Sequence, residues 1–440
     1  MIKEKNKTAG EVATILQQIE MTVPVSGIDL ATYKTGALGV VTIAGYMPGG
    51  YQHFVGSPMT TALATALLLQ GTPTRSKEEI AVFMEREGID ISFSASPSRL
   101  WFSCRTPARA LVGALSLIAD VLPNATFLAK HFSRERERMV AAAFEDMTDT
   151  RYLASQGLAR LLYPKNHPHG AYTPKERILA LNERTRGDCE RYKSGLGRGA
   201  MQLVAVGDID CRQMSRLIEK HFGGWQEGVY KMTDTIIPAP LSNANKTKVT
   251  TVRDKANVDV ALGQTLLIVR TDSDYIPLSV GLNILGAGGF QTRLMQRVRV
   301  DEGLTYGIGA SLKDQEDGLT CSFRVGGAFA PHLLKRGLAV TMEEIERFVE
   351  KGITATELAF QRERTPGTLM VRLGTTRGLA GTLIDILAAG LPLSSVDDYP
   401  LQVAALMVED VNRVILKYID PRTLSVSIAG SITEDLLPIK

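Results

Sequence analysis

The chain repeats itself once, so any fold assigned to it must be built from two like halves. Phe132-Ser-Arg-Glu-Arg136 returns as Phe360-Gln-Arg-Glu-Arg364, a shift of 228 (132 to 360). The apolar run Leu203–Val206 entering Gly207-Asp-Ile-Asp210 returns as Ser425–Ala429 entering Gly430-Ser-Ile-Thr433, a shift of 223 (207 to 430). Pro107 and Pro331 each open an apolar helical pattern behind a strand, 224 apart, and Ser94-Ala-Ser96 and Gly309-Ala-Ser311 are 215 apart. The four matches keep one order, and insertions or deletions of a few residues reconcile the shifts. Between Trp225 and Lys248 the sequence is polar, carries two prolines and holds no sustained period. We place a first domain at 1–225, a linker at 226–248 and a second domain at 249–440, each domain about half of the 440 residues and of usual size.

Local patterns then fix the fold class. Gly39–Tyr46 alternates as a strand, and Ser57-Pro58 opens a helix that Gly71 closes, with serine as N-cap and proline at the first helical position. Ser76-Lys-Glu-Glu79 is a capping box for the next helix. Ile89–Ser96 and Arg99–Arg105 read as a hairpin pair, and Pro107–Leu122 as an amphipathic helix. A long helical region near 125–195 precedes the strand Gln202–Val206 and a helix Asp210–Phe222 ended by Gly223. Strands in pairs with helices inserted in blocks predict an α+β fold, each domain a mainly antiparallel sheet packed against helices, not a doubly wound sheet.

Composition narrows the function classes. Fifty basic residues against 47 acidic ones leave no concentrated basic face of the kind a nucleic-acid binder needs. Cys104, Cys189, Cys211 and Cys321 are dispersed with no C-x-x-C spacing, which offers neither a zinc knuckle nor a redox motif and suits a reducing compartment. No apolar run of signal-peptide length follows the N-terminal lysines, and the most apolar window, Met59–Leu69, is too short to span a bilayer. The expectation is a soluble protein without membrane or nucleic-acid partners, cytoplasmic, or periplasmic if an export signal was removed.

The most informative stretch is Gly286–Ser311, GAGGFQTRLMQRVRVDEGLTYGIGAS. A glycine cluster ends one helix, Phe290–Glu302 reads as the next, Gly303 stands where a left-handed cap stops it, and Leu304–Ser311 reads as a strand. Arg299 in the last helical turn and Tyr306 beyond the reversal lie seven positions apart, so the two can face one cleft as a pair of fixed donors. On residue type alone the plainer reading, a helix-end cation and a half-buried strand aromatic, is the favoured one. The glycines do not make a dinucleotide loop, because Gln291 stands where the third glycine belongs.

These residues resemble the insulinase/pitrilysin zinc metallopeptidases, the inverzincins, and in particular their two-domain subunits that work in pairs. The resemblance implies two homologous α+β domains, as the duplication does. QRVRVDE followed by GLTYGIGAS is similar to the second-domain motif of that family, which implies that Arg299 and Tyr306 bind substrate in the active chamber. The family's H-x-x-E-H, shortly before a glycine-threonine turn, falls by Gly71-Thr72 on Ala62-Leu-Ala-Thr65-Ala66. Alanines 62 and 66 replace the two imidazole ligands, and Thr65 replaces the carboxylate that polarises the metal-bound water. The third ligand, a glutamate downstream of an E-R-x-V run, falls by Glu137-Arg-Met-Val140 on Phe144, and the neighbouring Glu145 is turned about 100° away on a helix. Three separate losses imply no metal in this chain.

By that resemblance the chain is a non-catalytic, substrate-binding subunit of a heterodimeric zinc endopeptidase, inactive alone. A homologous partner would bring zinc on an intact H-x-x-E-H, and the substrate would be a peptide. The alternative is a scaffold or assembly protein that kept the fold and has no role in catalysis. Among other candidates, His167-Pro-His169 has metal-ligand spacing without a third donor, His53 is a lone loop histidine, and His221 sits in the last turn of a helix. Arg134–Arg138, RERER, reads as a solvated helix face, and neither G-x-S-x-G nor G-x-x-x-x-G-K occurs.

Overall fold

The computed structural model describes residues 14–36, 39–52, 57–232, 245–315 and 321–439; His53 and residues 233–244 of the linker lie outside them. β1 (Ile19–Val25), β2 (Ile28–Lys34), β3 (Val40–Pro48), β4 (Asp90–Ala95), β5 (Arg99–Pro107) and β6 (Met201–Gly207) form one sheet in the order β1-β2-β6-β3-β5-β4. β7 (Thr247–Thr251), β8 (Val258–Leu266), β9 (Ile308–Lys313), β10 (Cys321–Phe329) and β11 (Ser425–Gly430) form a second in the order β7-β11-β8-β10-β9. Setting β1 aside, the two orders are the same, and in both the first strand pairs parallel with the last (β2 with β6, β7 with β11) while the other pairs are antiparallel. The duplication read from Gly207 and Gly430 is therefore a duplication of topology.

The helices of the first half are α1 (Pro58–Leu67), α2 (Lys77–Glu87), α3 (Leu111–Asn124), α4 (Ala129–Glu145), α5 (Thr150–Leu162), α6 (Pro174–Asn182), α7 (Arg186–Ser194) and α8 (Cys211–Phe222). Those of the second are α9 (Tyr275–Leu282), α10 (Leu334–Lys351), α11 (Ala355–Leu373), α12 (Thr376–Ala388), α13 (Ser395–Ala405) and α14 (Val408–Tyr418). Their starts follow the sequence signals. Ser57 accepts from the Met59 amide at 3.1 Å, Ser76 and Glu79 close both arms of their capping box, and Asp210 caps α8 through the Gln213 amide at 3.0 Å. One stop differs: α1 ends at Leu67, not at Gly71. Short turns, from the Leu68 amide to the Thr65 carbonyl and from the Gln70 amide to the Leu67 carbonyl, unwind it before the glycine is reached. No single helix among the described residues is long and apolar enough to cross a membrane.

Each sheet buries one face on helices of its own half and the other on a helix from the opposite half. In β3, Val41, Ile43 and Met47 face the first core, while Thr42, Ala44 and Tyr46 turn to the other side. There, with Ala31, Val204 and Val206, they receive Leu379, Ala380, Leu383 and Ile384 of α12. A strand buried on both faces reads as a nearly continuous apolar run, as VVTIAGYM does. Reciprocally, α5 lies on β8 and β11 of the second sheet, with Leu158, Leu162 and Tyr163 against Ala261. The approach is close: a Cβ on Gly157 would overlap the Ser427 hydroxyl. Thr150 and Thr376 open the two exchanged helices, 226 apart, in step with the repeat.

Two arginines, one from each half, cap the C-terminal end of α12. Arg99, 6% exposed, donates from Nη2 to the Ala388 carbonyl at 2.9 Å with its guanidinium 4.8 Å from the Tyr46 ring, and Arg270 donates to the Asp385 carbonyl at 3.2 Å. Cations at this end complement the helix dipole.

In the second domain Asp274, before α9, accepts from Arg413 (2.9 Å), Lys417 (2.7 Å) and Tyr418 (3.1 Å) of α14. The Arg413 and Lys417 hydrogen bonds hold its carboxyl well down, at about 2 against an ordinary 3.8. Since the folded-state value is the lower, the stabilisation is present above about pH 4 and is lost as the pH falls through 4 towards 2. We expect Asp274→Asn to cost roughly 1–2 kcal/mol at pH 7, and the gap from the parent in urea midpoints to narrow as the pH is lowered from 5 to 3. A gap that is constant with pH would contradict this role.

Candidate functional site

The zinc-motif positions of the resemblance lie on α1, whose residues explain why no charge is seated there. Leu63, Ala64 and Leu67 are buried in the first core, and Thr60 and Thr61 are wholly buried beside them. Ala62 and Ala66, one turn apart on a single face, are half-buried and present only methyl groups. Thr65 is 8% exposed and packs against the Tyr192 phenol, which donates to the Gly49 carbonyl and whose pKa is pushed up by burial. Phe144, at the end of α4, is 56% exposed. Among the described residues no three His, Cys, Asp or Glu side chains gather as a metal-binding group. Zinc needs lone-pair donors at about 2 Å, and the side chains at 62, 65, 66 and 144 do not fit it.

His167 and His169 make a packing cluster instead. The His167 ring stacks on Tyr163 at 4.7 Å, its Nδ1 accepts the His169 amide at 3.0 Å, and Tyr163 donates to Asp314 at 3.0 Å.

The Arg/Tyr stretch departs from the simple helix-then-strand reading. Phe290–Thr292 form a turn, the helix starts at Arg293, and over Met295–Asp301 it widens to π-helix, as does Asn283–Ala287 before it. Widened turns of this kind concentrate at functional sites. Gly303 is left-handed (φ 65°), with its amide on the Arg299 carbonyl at 3.1 Å and the Leu304 amide on the Val298 carbonyl at 3.0 Å. The strand begins only at Ile308. Leu304 tucks back into the core, and the Thr305 hydroxyl ties the loop to the Ala328 carbonyl at 2.6 Å, so Tyr306 stands on a braced loop and not in a strand.

The three arginines of the helix separate by role. Arg293 is bound to Glu357 at 2.6 and 2.7 Å and to the Gly352 carbonyl at 2.8 Å, and Arg297 pairs with Glu302 at 2.8 Å. Arg299 has no carboxylate within ion-pair distance among the described residues; its guanidinium lies 4.9 Å from the ring of Phe290, itself 66% exposed. Tyr306 is 94% exposed and its hydroxyl bonds to no described residue. A cleft of about 960 Å³ opens beside it, floored by Ala261, Gly309, Ser311 and Gly326 of the second sheet and walled by Arg151, Ala154 and Ser155 of α5. Tyr306 lines this cleft. Arg299 does not, so the two side chains flank the turn and share no cavity wall. Sequence reasoning missed the wall from α5, since nothing in Thr150–Leu162 announces that the helix packs on the other half's sheet.

Comparison with known proteins places these features. A family model described as Peptidase M16 inactive domain matches residues 190–365, and one described as Insulinase (Peptidase family M16) matches residues 60–161. The chain is 21% identical over 385 residues to a non-peptidase homolog, YmxG, from Helicobacter pylori, covering 85% of this chain and 84% of that protein. It is also 21% identical over 432 residues to the mitochondrial-processing peptidase subunit beta of Lentinula edodes, covering 92% and 89%. Its fold is similar to the crystal structure of a peptidase M16 inactive domain from Pseudomonas fluorescens, with a TM-score of 0.86, 22% identity, and 96% and 99% of the two chains covered.

Proposed function

Because the chain belongs to the insulinase (peptidase M16) family and carries an inactive form of its domains, we propose that it is the substrate-binding subunit of a heterodimeric zinc endopeptidase, supplying Arg299 and Tyr306 to a homologous partner's zinc site. The observation that carries this reading is Tyr306, a phenol 94% exposed on a braced loop at the rim of a large cleft. An aromatic that neither packs nor hydrogen-bonds adds nothing to the fold of the lone chain, and Phe290 and Arg299 are exposed or half-exposed beside the same turn. Kinship with a processing-peptidase subunit supports pairing.

Zinc held by the partner's H-x-x-E-H would supply the activated water. The work of this chain is to hold the peptide. Tyr306 donates its phenolic hydrogen to the scissile carbonyl oxygen as that oxygen gains negative charge. Arg299, backed by Phe290 and with no carboxylate within ion-pair distance among the described residues, directs its planar donors at backbone carbonyls of the same peptide.

Affinity capture of the tagged chain from its source cells, followed by peptidase assay of each subunit alone and of the mixture, tests the proposal. Chelator-sensitive hydrolysis is expected in the mixture only. Hydrolysis by this chain alone overturns the division of labour, and a stable pair with no hydrolysis favours the scaffold alternative.

A further inference from the structure

A second cavity, of about 570 Å³, lies between the two halves, bounded by the end of β4 (Ser94, Ser96), Trp101 of β5, Arg270 beyond β8, Lys313 at the end of β9, and Asp385 of α12. Two cations, Arg270 and Lys313, and two acids, Asp314 and Asp385, line it. Arg270 spends one guanidinium nitrogen on the Asp385 carbonyl, while its buried Nε has no hydrogen-bond partner among the described residues and no carboxylate is within ion-pair distance. Lys313 is exposed and unpaired among the same residues. The two acids have partners of their own: Asp314 is held by Arg324, Ser322 and Tyr163, and Asp385, whose pKa burial pushes up, lies in the field of both Arg270 and Arg372, the latter at 3.8 Å. Arg270 and Lys313 line the cavity with no carboxylate within ion-pair distance among the described residues, so an acceptor bound there would gain charge-assisted hydrogen bonds from both. β4 is the outermost strand of its sheet, so an extended chain paired along it would carry one end towards the cavity.

We propose that this cavity binds a peptide carboxylate, with Arg270 and Lys313 as its counter-ions and Trp101 as the wall against the adjoining side chain. The proposal rests on the reading of the chain as a peptide-binding subunit. The carboxylate has two possible sources, the free C-terminus of a peptide or an aspartate or glutamate side chain within it. Both offer the planar acceptor that a guanidinium grips with charge-assisted hydrogen bonds.

Trp101 and Trp225 are the two tryptophans of the sequence, so in a Trp225→Phe background Trp101 alone reports by fluorescence. The full chain would be titrated with N-acetyl-tetraalanine as free acid, with its C-terminal amide, and with N-acetyl-Ala-Ala-Glu-Ala amide. We expect the free acid to bind about tenfold or more tighter than its amide, and the glutamate peptide to equal the free acid if side chains are also taken. Arg270→Gln and Lys313→Gln should each erase the preference, while Arg270→Lys, which keeps the charge at α12, should retain part of it. Equal response to acid and amide, tighter binding of the amide, or no response to any peptide overturns the proposal. None of those results touches the effect of Tyr306 on the mixed peptidase, so the two readings fail separately.

Discussion

Tyr306→Phe, assayed with an intact zinc-bearing partner, lowers turnover by roughly 10²–10³ while complex formation and thermal stability stay unchanged. The direction follows from what the substitution removes. The phenol is 94% exposed and bonds to no described residue, so deleting its oxygen strands no donor or acceptor and opens no cavity. Stability should stay within about 0.5 kcal/mol, as for surface positions generally. The ring remains, and with it whatever apolar contact it offers a peptide. In the proposed role, what the variant would lose is one hydrogen bond to an oxygen that becomes anionic only as the peptide bond is attacked, so the loss should fall on kcat more than on KM. Arg299→Lys is the companion variant. It keeps the positive charge but gives up the fork and the stacking on Phe290, and the expected effect is a raised KM, because a backbone grip acts on bound substrate and transition state alike. An unaltered kcat for Tyr306→Phe would remove that residue from the chemistry.

Much of the fold is legible in the sequence, and the reason is local. Caps and strand alternation are written in neighbouring residues, which is why Ser57, Ser76 and Asp210 mark real helix starts and the hairpin β4–β5 falls where alternation places it. The repeat around Gly207 and Gly430 carried more, because it predicts topology twice over, and both sheets obey it. That Ala62, Ala66 and Phe144 offer no metal-ligating lone pair and Thr65 no carboxylate is likewise readable from residue type without geometry. What escaped depends on distant partners. Leu304 reads as the first residue of a strand until the Val298 carbonyl and the second core claim it, which leaves Tyr306 on a loop. Arg293, Arg297 and Arg299 look alike in sequence; only Glu357, from α11, and Glu302, at the end of the same helix, separate the paired arginines from Arg299, which has no carboxylate within ion-pair distance among the described residues. The seating of α5 and α12 on each other's sheets is set by small residues such as Gly157, Ala261 and Ala380, whose meaning appears once the facing surface is known.

That exchange predicts the largest effect on stability: the two halves, cut apart within the linker and made separately, should not fold. Without α12 the first sheet exposes Ala31, Ala44, Tyr46, Val204 and Val206, and the second half carries Leu379, Leu383, Ile384 and Ile386 on a helix with nothing beneath it. Burying a leucine or isoleucine is worth about 1.5–3 kcal/mol, so the four side chains alone contribute about 6–12 kcal/mol, which spans most of the 5–15 kcal/mol that separates a typical folded domain from its unfolded chain. The second half loses in turn the cover that Leu158 and Leu162 give Ala261, and Gly263 and Ser427 lose the close approach of α5. Each half expressed alone should therefore aggregate or show native-like far-ultraviolet but collapsed near-ultraviolet dichroism. Co-expression should restore a complex with one cooperative thermal transition, as in the intact chain, because neither core is complete until both helices cross. A soluble, monomeric first half that melts cooperatively would show that α12 is a covering and not part of the fold it covers.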